Sequence, residues 1–202
     1  LCGICVSSGW RNAPMGIFLE FLKNPKRTGA IATSSRGLAR MICSEIGVES
    51  ASVIVEYGPG TGVFTEEILR VKKPDASFFA IEHSPALAEN FRNKFPETRI
   101  FEDSAENVAS MLKAEGHSQI DSIVCGLPWA AFDEPLQDSL LNATLDSLKP
   151  GGQFATFAYI QGLLLPAGKR FKKKLAKLFS KVEKSPTVWR NVPPAFVYRC
   201  TK

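Results

Sequence analysis

Short apolar runs alternate along this chain with stretches whose apolar residues recur at helical spacing. Ser52–Tyr57, Ser77–Glu82, Arg99–Glu102, Asp121–Cys125 and Gln153–Tyr159 predict strands. Between them, Thr65–Val71, Pro85–Phe95, Ala105–Ala114 and Leu136–Leu148 predict helices. Ser84 before Pro85 is an N-cap pattern with proline at the first helical position. Lys149-Pro150-Gly151-Gly152 predicts a turn that stops a helix before a strand. Strands alternating with helices predict βαβ units and a largely parallel sheet covered on both faces, an open doubly wound α/β domain. Near the end, Thr187–Arg190 and Phe196–Cys200 flank Val192-Pro193-Pro194 and predict an antiparallel pair.

Composition narrows the class. A chain of 202 residues with 45% hydrophobic and 22% charged residues is globular and long enough for one ordinary core. Its five cysteines, Cys2, Cys5, Cys43, Cys125 and Cys200, are odd in number and mostly scattered, which points to a reducing compartment. Cys2-x-x-Cys5 lacks a second pair to complete a metal site, so no metal is expected. The apolar stretch Phe154–Leu165 is broken by Gln161 and Gly162 and falls short of the about 20 residues a membrane helix needs. The first 14 residues lack the basic start and apolar run of a signal peptide, so a cytoplasmic protein is expected. The net charge of +5 hides an uneven distribution. Residues 49–168 carry 17 acidic and 8 basic residues, whereas 169–184 carry eight basic residues and one Glu.

The most informative stretch is Glu56-Tyr57-Gly58-Pro59-Gly60-Thr61-Gly62, where a buried strand enters a glycine loop and then a helix. That order places the loop at the carboxyl edge of the sheet, where open α/β folds bind ligands. A dinucleotide fingerprint needs G-x-G-x-x-G around a pyrophosphate, but here Val63 stands where the last Gly is required. Glu56 would also repel a pyrophosphate and favour a cation. A ligand with an ammonium, a sulfonium and no phosphate fits better, namely S-adenosylmethionine. Glu82, 20 residues beyond Gly62, ends the next strand where a carboxylate accepts ribose hydroxyls. That spacing suits any nucleoside, NAD included. Asp103, beside Ser104 after the third strand, is placed to accept from an adenine amino group, and His83 to neighbour the nucleoside. Each of these acids alone also reads as a solvated loop carboxylate.

With these residues the chain resembles the class I S-adenosylmethionine-dependent methyltransferases, whose first motif Glu56-x-Gly58-x-Gly60-x-Gly62 is similar to. The resemblance implies a Rossmann-like methyltransferase fold with a mostly parallel seven-stranded sheet and an antiparallel C-terminal strand. Within that group it resembles the small bacterial phosphatidylethanolamine N-methyltransferases from about Phe18 to Arg199. This rests on Thr28-Gly29-Ala30-Ile31-Ala32-Thr33-Ser34-Ser35, Gly126-Leu127-Pro128 and Trp189-Arg190-Asn191-Val192-Pro193-Pro194-Ala195. That family is in turn similar to the rRNA adenine dimethylases. The resemblance implies a cofactor site formed by Ser34, Ser35, Glu56, Tyr57, Gly58, Gly60, Gly62, Glu82, His83, Asp103, Ser104, Gly126 and Leu127. It also implies that residues 1–48 are a basic helical segment covering that site, with the methyltransferase domain over 49–202. Ser35 reads equally as an N-cap for a helix over Arg36–Ile46.

The acceptor is less legible. Amino-directed nucleic-acid methyltransferases carry Asn/Asp-Pro-Pro-Tyr or Asn-Leu-Pro-Tyr after the fourth strand, where a polar side chain holds the amine and an aromatic stacks on the base. Here the loop is Gly126-Leu127-Pro128-Trp129. Trp129 is an aromatic for stacking or for the core, and Gly126 has no side-chain acceptor. Phe171, Leu175, Leu178, Phe179 and Val182 form one helical stripe flanked by Lys172, Lys173, Lys177, Lys181 and Lys184. That pattern predicts a helix lying in an anionic membrane interface, or one packed on the core with its lysines in water. Ile17, Phe18, Leu19, Phe21 and Leu22, followed by Lys23, Lys26 and Arg27, form a second such element. The expectation is methyl transfer to a phospholipid amine on the inner face of the membrane, with nucleic acid as the alternative acceptor and a non-catalytic, nucleoside-binding, membrane-attached protein as a further alternative. Tyr159 and Asp133 are the candidate bases.

Overall fold

The computed structural model describes residues 34–202. The Cys2–Cys5 pair, the Ile17–Arg27 element and Thr28–Thr33 lie outside the described residues. The described residues belong to one compact unit, and Leu38, Ile42, Ile46 and Val48 share a core with the strands of the sheet.

Seven strands form one sheet in the order β3-β2-β1-β4-β5-β7-β6. They are β1 Val53–Tyr57, β2 Ser77–Ile81, β3 Arg99–Phe101, β4 Ile120–Cys125, β5 Leu148–Tyr159, β6 Lys181–Lys184 and β7 Ala195–Thr201. The first five are parallel, β7 runs antiparallel to β5, and β6 antiparallel to β7. From β1 the chain steps outward through β2 and β3, then returns to the opposite side of β1 with β4. The loops after β1 and β4 therefore part company at a topological switch point, where such sheets open a crevice.

Helices α1 Arg36–Cys43, α2 Val63–Val71, α3 Pro85–Lys94, α4 Val108–Ala114, α5 Glu134–Ser147 and α6 Pro166–Leu178 cover the sheet. Alternate residues of a strand face opposite sides, so two cores form. Val55, Tyr57, Ile123 and Cys125 pack with Val108 and Met111 of α4, Leu140 and Leu141 of α5, and Phe171 and Leu175 of α6. On the other face, Ile54, Val124, Ala155 and Val197 pack with Leu38 and Ile42 of α1 and Phe64 and Ile68 of α2. The central strands β1 and β4 are buried on both faces, which is why they read as nearly continuous apolar runs. Arg199 of β7 fastens α1 from below. Its guanidinium donates to Glu45 Oε2 at 2.6 Å and Ser44 Oγ at 2.9 Å, and Glu45 is held at φ 62°.

The end of the chain departs from the sequence reading. The lysine-rich helix stops at Leu178 because Phe179 turns extended and stacks on Phe154 with ring centroids 5.6 Å apart. Lys181–Lys184 then form β6, the outer partner of β7, where lysines suit an exposed edge. Thr187–Arg190 supply only the bridge between Val188 and Ala195. Lys149–Gly152 belong to the start of β5, with Gly151 at φ 74°. Among the described residues no helix is long and apolar enough to cross a membrane.

Candidate active site

All five parallel strands end on one edge, and backbone hydrogen bonds tie their exit loops together. Gly58 N donates to Ile81 O at 2.8 Å, Glu82 N to Phe101 O at 2.9 Å, and Gly126 N to Tyr57 O at 2.7 Å. The loop from Gly58 to Gly62 turns through left-handed conformations at Gly58, Gly60 and Gly62, with φ of 63°, 54° and 80°. At Gly62 an added Cβ would lie 2.3 Å from the Phe95 ring, so only glycine lets α2 start there. At Gly126 a Cβ would lie 2.5 Å from Gly58 O. The two loops at the switch point thus touch backbone to backbone, while the space beside Gly60 is open for at least 4 Å.

Three carboxylates line the approach, each in a different state. Glu56 faces the α1–α2 side of the sheet and is fully buried; its Oε2 accepts from Thr65 Oγ1 at 2.7 Å. Its Oε1 has no partner among the described residues. Burial pushes this carboxyl up to about 8, with nearby Glu82 adding to the rise and Thr65 opposing it. Glu82, at the exit of β2, is also raised by burial, although Ser84 N at 2.9 Å and Gly60 N at 3.4 Å donate to it. Asp103, at the exit of β3, is exposed, and its Oδ1 accepts from Ser104 N at 2.7 Å and Asn107 Nδ2 at 3.0 Å. Two raised carboxyls within a glycine-walled recess gain from a cationic ligand, which offsets their burial.

The sequence of this edge matches the family model described as a methyltransferase domain over residues 54–152. The chain is also 29% identical over 184 residues to the ornithine lipid N-methyltransferase of Singulisphaera acidiphila, covering 90% of this chain and 92% of that protein. The chain is an S-adenosylmethionine-dependent methyltransferase. A shorter likeness links this methyltransferase to ribosomal RNA small subunit methyltransferase A of Chlorobaculum parvum, 34% identical over 77 residues and covering 38% of this chain and 27% of that one. Among solved structures, its fold is shared with an O-methyltransferase from Bacillus cereus (TM-score 0.69, 14% identity, 93% of this chain and 91% of that one). It is likewise shared with the N-methyltransferase NodS from Bradyrhizobium japonicum (TM-score 0.64, 14% identity, 83% of this chain and 93% of that one).

The residues fit that cofactor. The orphaned Glu56 oxygen suits a cation, the open flank of Gly60 lets a ligand approach backbone, and Glu82 is an acceptor for a diol. When bound, S-adenosylmethionine supplies a methyl group on a positively charged sulfur. Ser35 caps α1, accepting from Leu38 N at 3.2 Å, and its own amide donates to Asn191 Oδ1 at 2.9 Å. Ser34 and Ser35 are thereby held at the same edge as the loop Val188–Pro194, since Ile160 N after β5 donates to Pro194 O. His83 lies exposed in the turn after Glu82, Ser104 caps a short turn of helix through Glu106 N, and Leu127 packs over Gly58.

Several expected residues stand elsewhere. Tyr57 turns its ring into the core, and only its carbonyl reaches the edge. Trp129 is not a stacking platform: it is buried, stacked on Phe171 at 4.9 Å, and its Nε1 donates to Thr156 Oγ1 at 2.9 Å. Phe171 and Leu175 are core residues of α6, so the apolar stripe faces the protein and not a membrane. Leu178 packs against the same core, while Lys172, Lys173 and Lys177 remain exposed. Asp133 is the N-cap of α5, accepting from Leu136 N at 3.0 Å. Tyr159 ends β5 with its hydroxyl raised by burial, so it stays protonated at neutral pH and is unsuited to remove a proton. The sequence marked Asn191 only as part of the Trp189–Ala195 motif, without the role it holds as a buried amide that also donates to Pro193 O at 2.7 Å. Its signal was an Asn two residues before a Pro-Pro pair, which needs a local partner for freed carbonyls.

Proposed function

We propose that this methyltransferase acts on the amine of a membrane lipid, with phosphatidylethanolamine as the acceptor and a methylated headgroup as the product. The observation that carries the reading is the extent of likeness: it runs over 184 residues with the ornithine lipid N-methyltransferase and over 77 with the rRNA enzyme. The geometry after β4 supports it. Recognition of a base needs a polar residue where Gly126 stands and an exposed aromatic where Trp129 is buried. The chain's part in transfer is to hold donor and acceptor in line beside Gly126 and to balance the cationic donor with Glu56 and Glu82. The amine enters as the free base, its proton having passed to water, since neither Asp133 nor Tyr159 is poised to take it. The working position is the cytoplasmic face of the membrane, as a peripheral protein. Donor carrying a labelled methyl group, offered with phosphatidylethanolamine vesicles, tests this. Label in the lipid supports it, and unlabelled lipid beside labelled RNA overturns it.

A further inference from the structure

Most large apolar side chains among the described residues are buried, yet four well-exposed ones lie in two segments at one edge of the sheet. Leu164 and Leu165 end the turn after β5 and are 79% and 49% exposed. Trp189 and Val192, in the loop before β7, are 72% and 75% exposed. Both segments lie on the carboxyl edge. Tyr159 pairs with Ala195 at the last register position of β5 and β7, and Ile160 N donates to Pro194 O at 3.1 Å. The same edge carries the Gly58–Gly62 loop. Neither segment is loose chain: Asn191 anchors one through Ser35 N and Pro193 O, and the other leads directly into α6.

The charges around these tips are partly neutralised on one side only. Arg170 pairs with Glu134 at 3.1 Å and Lys174 with Asp138 at 2.6 Å, both on α5. Lys169, Lys172, Lys173 and Lys177 of α6 have no carboxylate within 4 Å among the described residues, and Arg190 stands exposed between Trp189 and Asn191. Exposed apolar tips beside uncompensated lysines match a bilayer with anionic headgroups: the tips enter the acyl boundary and the lysines meet phosphates. RNA accounts for the lysines but not for two leucines and a valine.

We propose that Leu164, Leu165, Trp189 and Val192 insert into an anionic bilayer, setting the carboxyl edge of the sheet against the headgroups. This rests on the lipid reading above and moves the membrane contact from the apolar stripe of α6 to two loops. Insertion at this edge brings an acceptor headgroup to the donor site without leaving the membrane surface.

The test is sedimentation of the full chain with phosphatidylglycerol–phosphatidylethanolamine vesicles, alongside L164E/L165E and W189A/V192A. Each double variant should weaken vesicle binding by about tenfold or more with unchanged melting temperature. Trp emission should shift to the blue on vesicle addition in the wild type and not in Trp189→Phe. Wild-type binding by both double variants, an unshifted Trp189, or retention on structured RNA in preference to vesicles overturns the proposal. Methylation of detergent-dispersed aminolipid separates the two readings. Variants that lose vesicle binding but methylate dispersed lipid support both; vesicle binding lost with no lipid ever methylated leaves the surface standing and removes the lipid substrate. Dispersed lipid methylated equally by all, with vesicle binding intact in the variants, removes the surface alone.

Discussion

Glu56→Gln should make the cofactor-free enzyme less sensitive to pH and weaken its hold on the donor. The wild-type carboxyl is raised to about 8 by complete burial, whereas the unfolded chain releases the same proton near its ordinary value of about 4.3. Between those values the folded protein binds more protons than the unfolded one. Stability is therefore fullest below the unfolded value and falls as pH rises toward 8. At roughly 1.4 kcal/mol per pH unit the ceiling is about 5 kcal/mol, of which about 4 is reached by pH 7. For a domain of this size, each 1 kcal/mol moves the melting temperature by about 2–4 °C. Thermal scans from pH 5 to 8.5 should show the wild type losing about 8–16 °C that Glu56→Gln retains. Donor binding should favour the ionised form, so titration calorimetry at pH 7 in buffers of different ionisation enthalpy should report proton release from wild type and markedly less from the variant. Parallel thermal curves for the two proteins, with equal proton release, would refute the reasoning.

Other substitutions test the remaining geometry. Gly126→Asn must part the two loops at the switch point, since a Cβ meets Gly58 O at 2.5 Å; about 1–3 kcal/mol of stability and most donor affinity should go, read by thermal melting and calorimetry. Trp129→Phe loses the bond to Thr156 but keeps the ring stack on Phe171, so it should cost about 1 kcal/mol while activity stays within a few-fold in a methyl-transfer assay. A hundredfold loss with unchanged melting would instead make Trp129 an acceptor residue. Asn191→Ala leaves the Ser35 amide without its acceptor; it should destabilise by about 1–3 kcal/mol and speed hydrogen exchange at the start of α1 more than elsewhere. Lys172→Glu with Lys173→Glu should weaken binding to anionic vesicles at low salt and leave melting unchanged, because neither lysine has a carboxylate partner among the described residues.

Legibility in the sequence followed the physics of each segment. The five parallel strands announced themselves because burial on both faces leaves apolar runs bounded by Gly, Pro and Ser, and the acids Glu56, Glu82 and Asp103 marked their exits. The glycine loop was readable because backbone geometry, at Gly62 against Phe95, admits no other residue. The region beyond β5 was misread for a specific reason. Phe171, Leu175, Leu178, Phe179 and Val182 satisfy a helical period, but only the first three lie in α6. Phe179 and Val182 pack against the same core from extended backbone once β7 demands an outer partner. Trp129 was ambiguous because nothing local distinguishes an indole at an opening from one over Phe171; only the fold brings α6 beneath it. The clamp from Asn191 to Ser35 spans 156 residues and leaves no periodic trace.

The central claim is that the acceptor is a lipid amine. Purified full chain, labelled donor, phosphatidylethanolamine vesicles and structured rRNA in one reaction test it most directly. The account predicts label in extracted lipid, with the RNA unlabelled; label in the RNA with none in the lipid contradicts it.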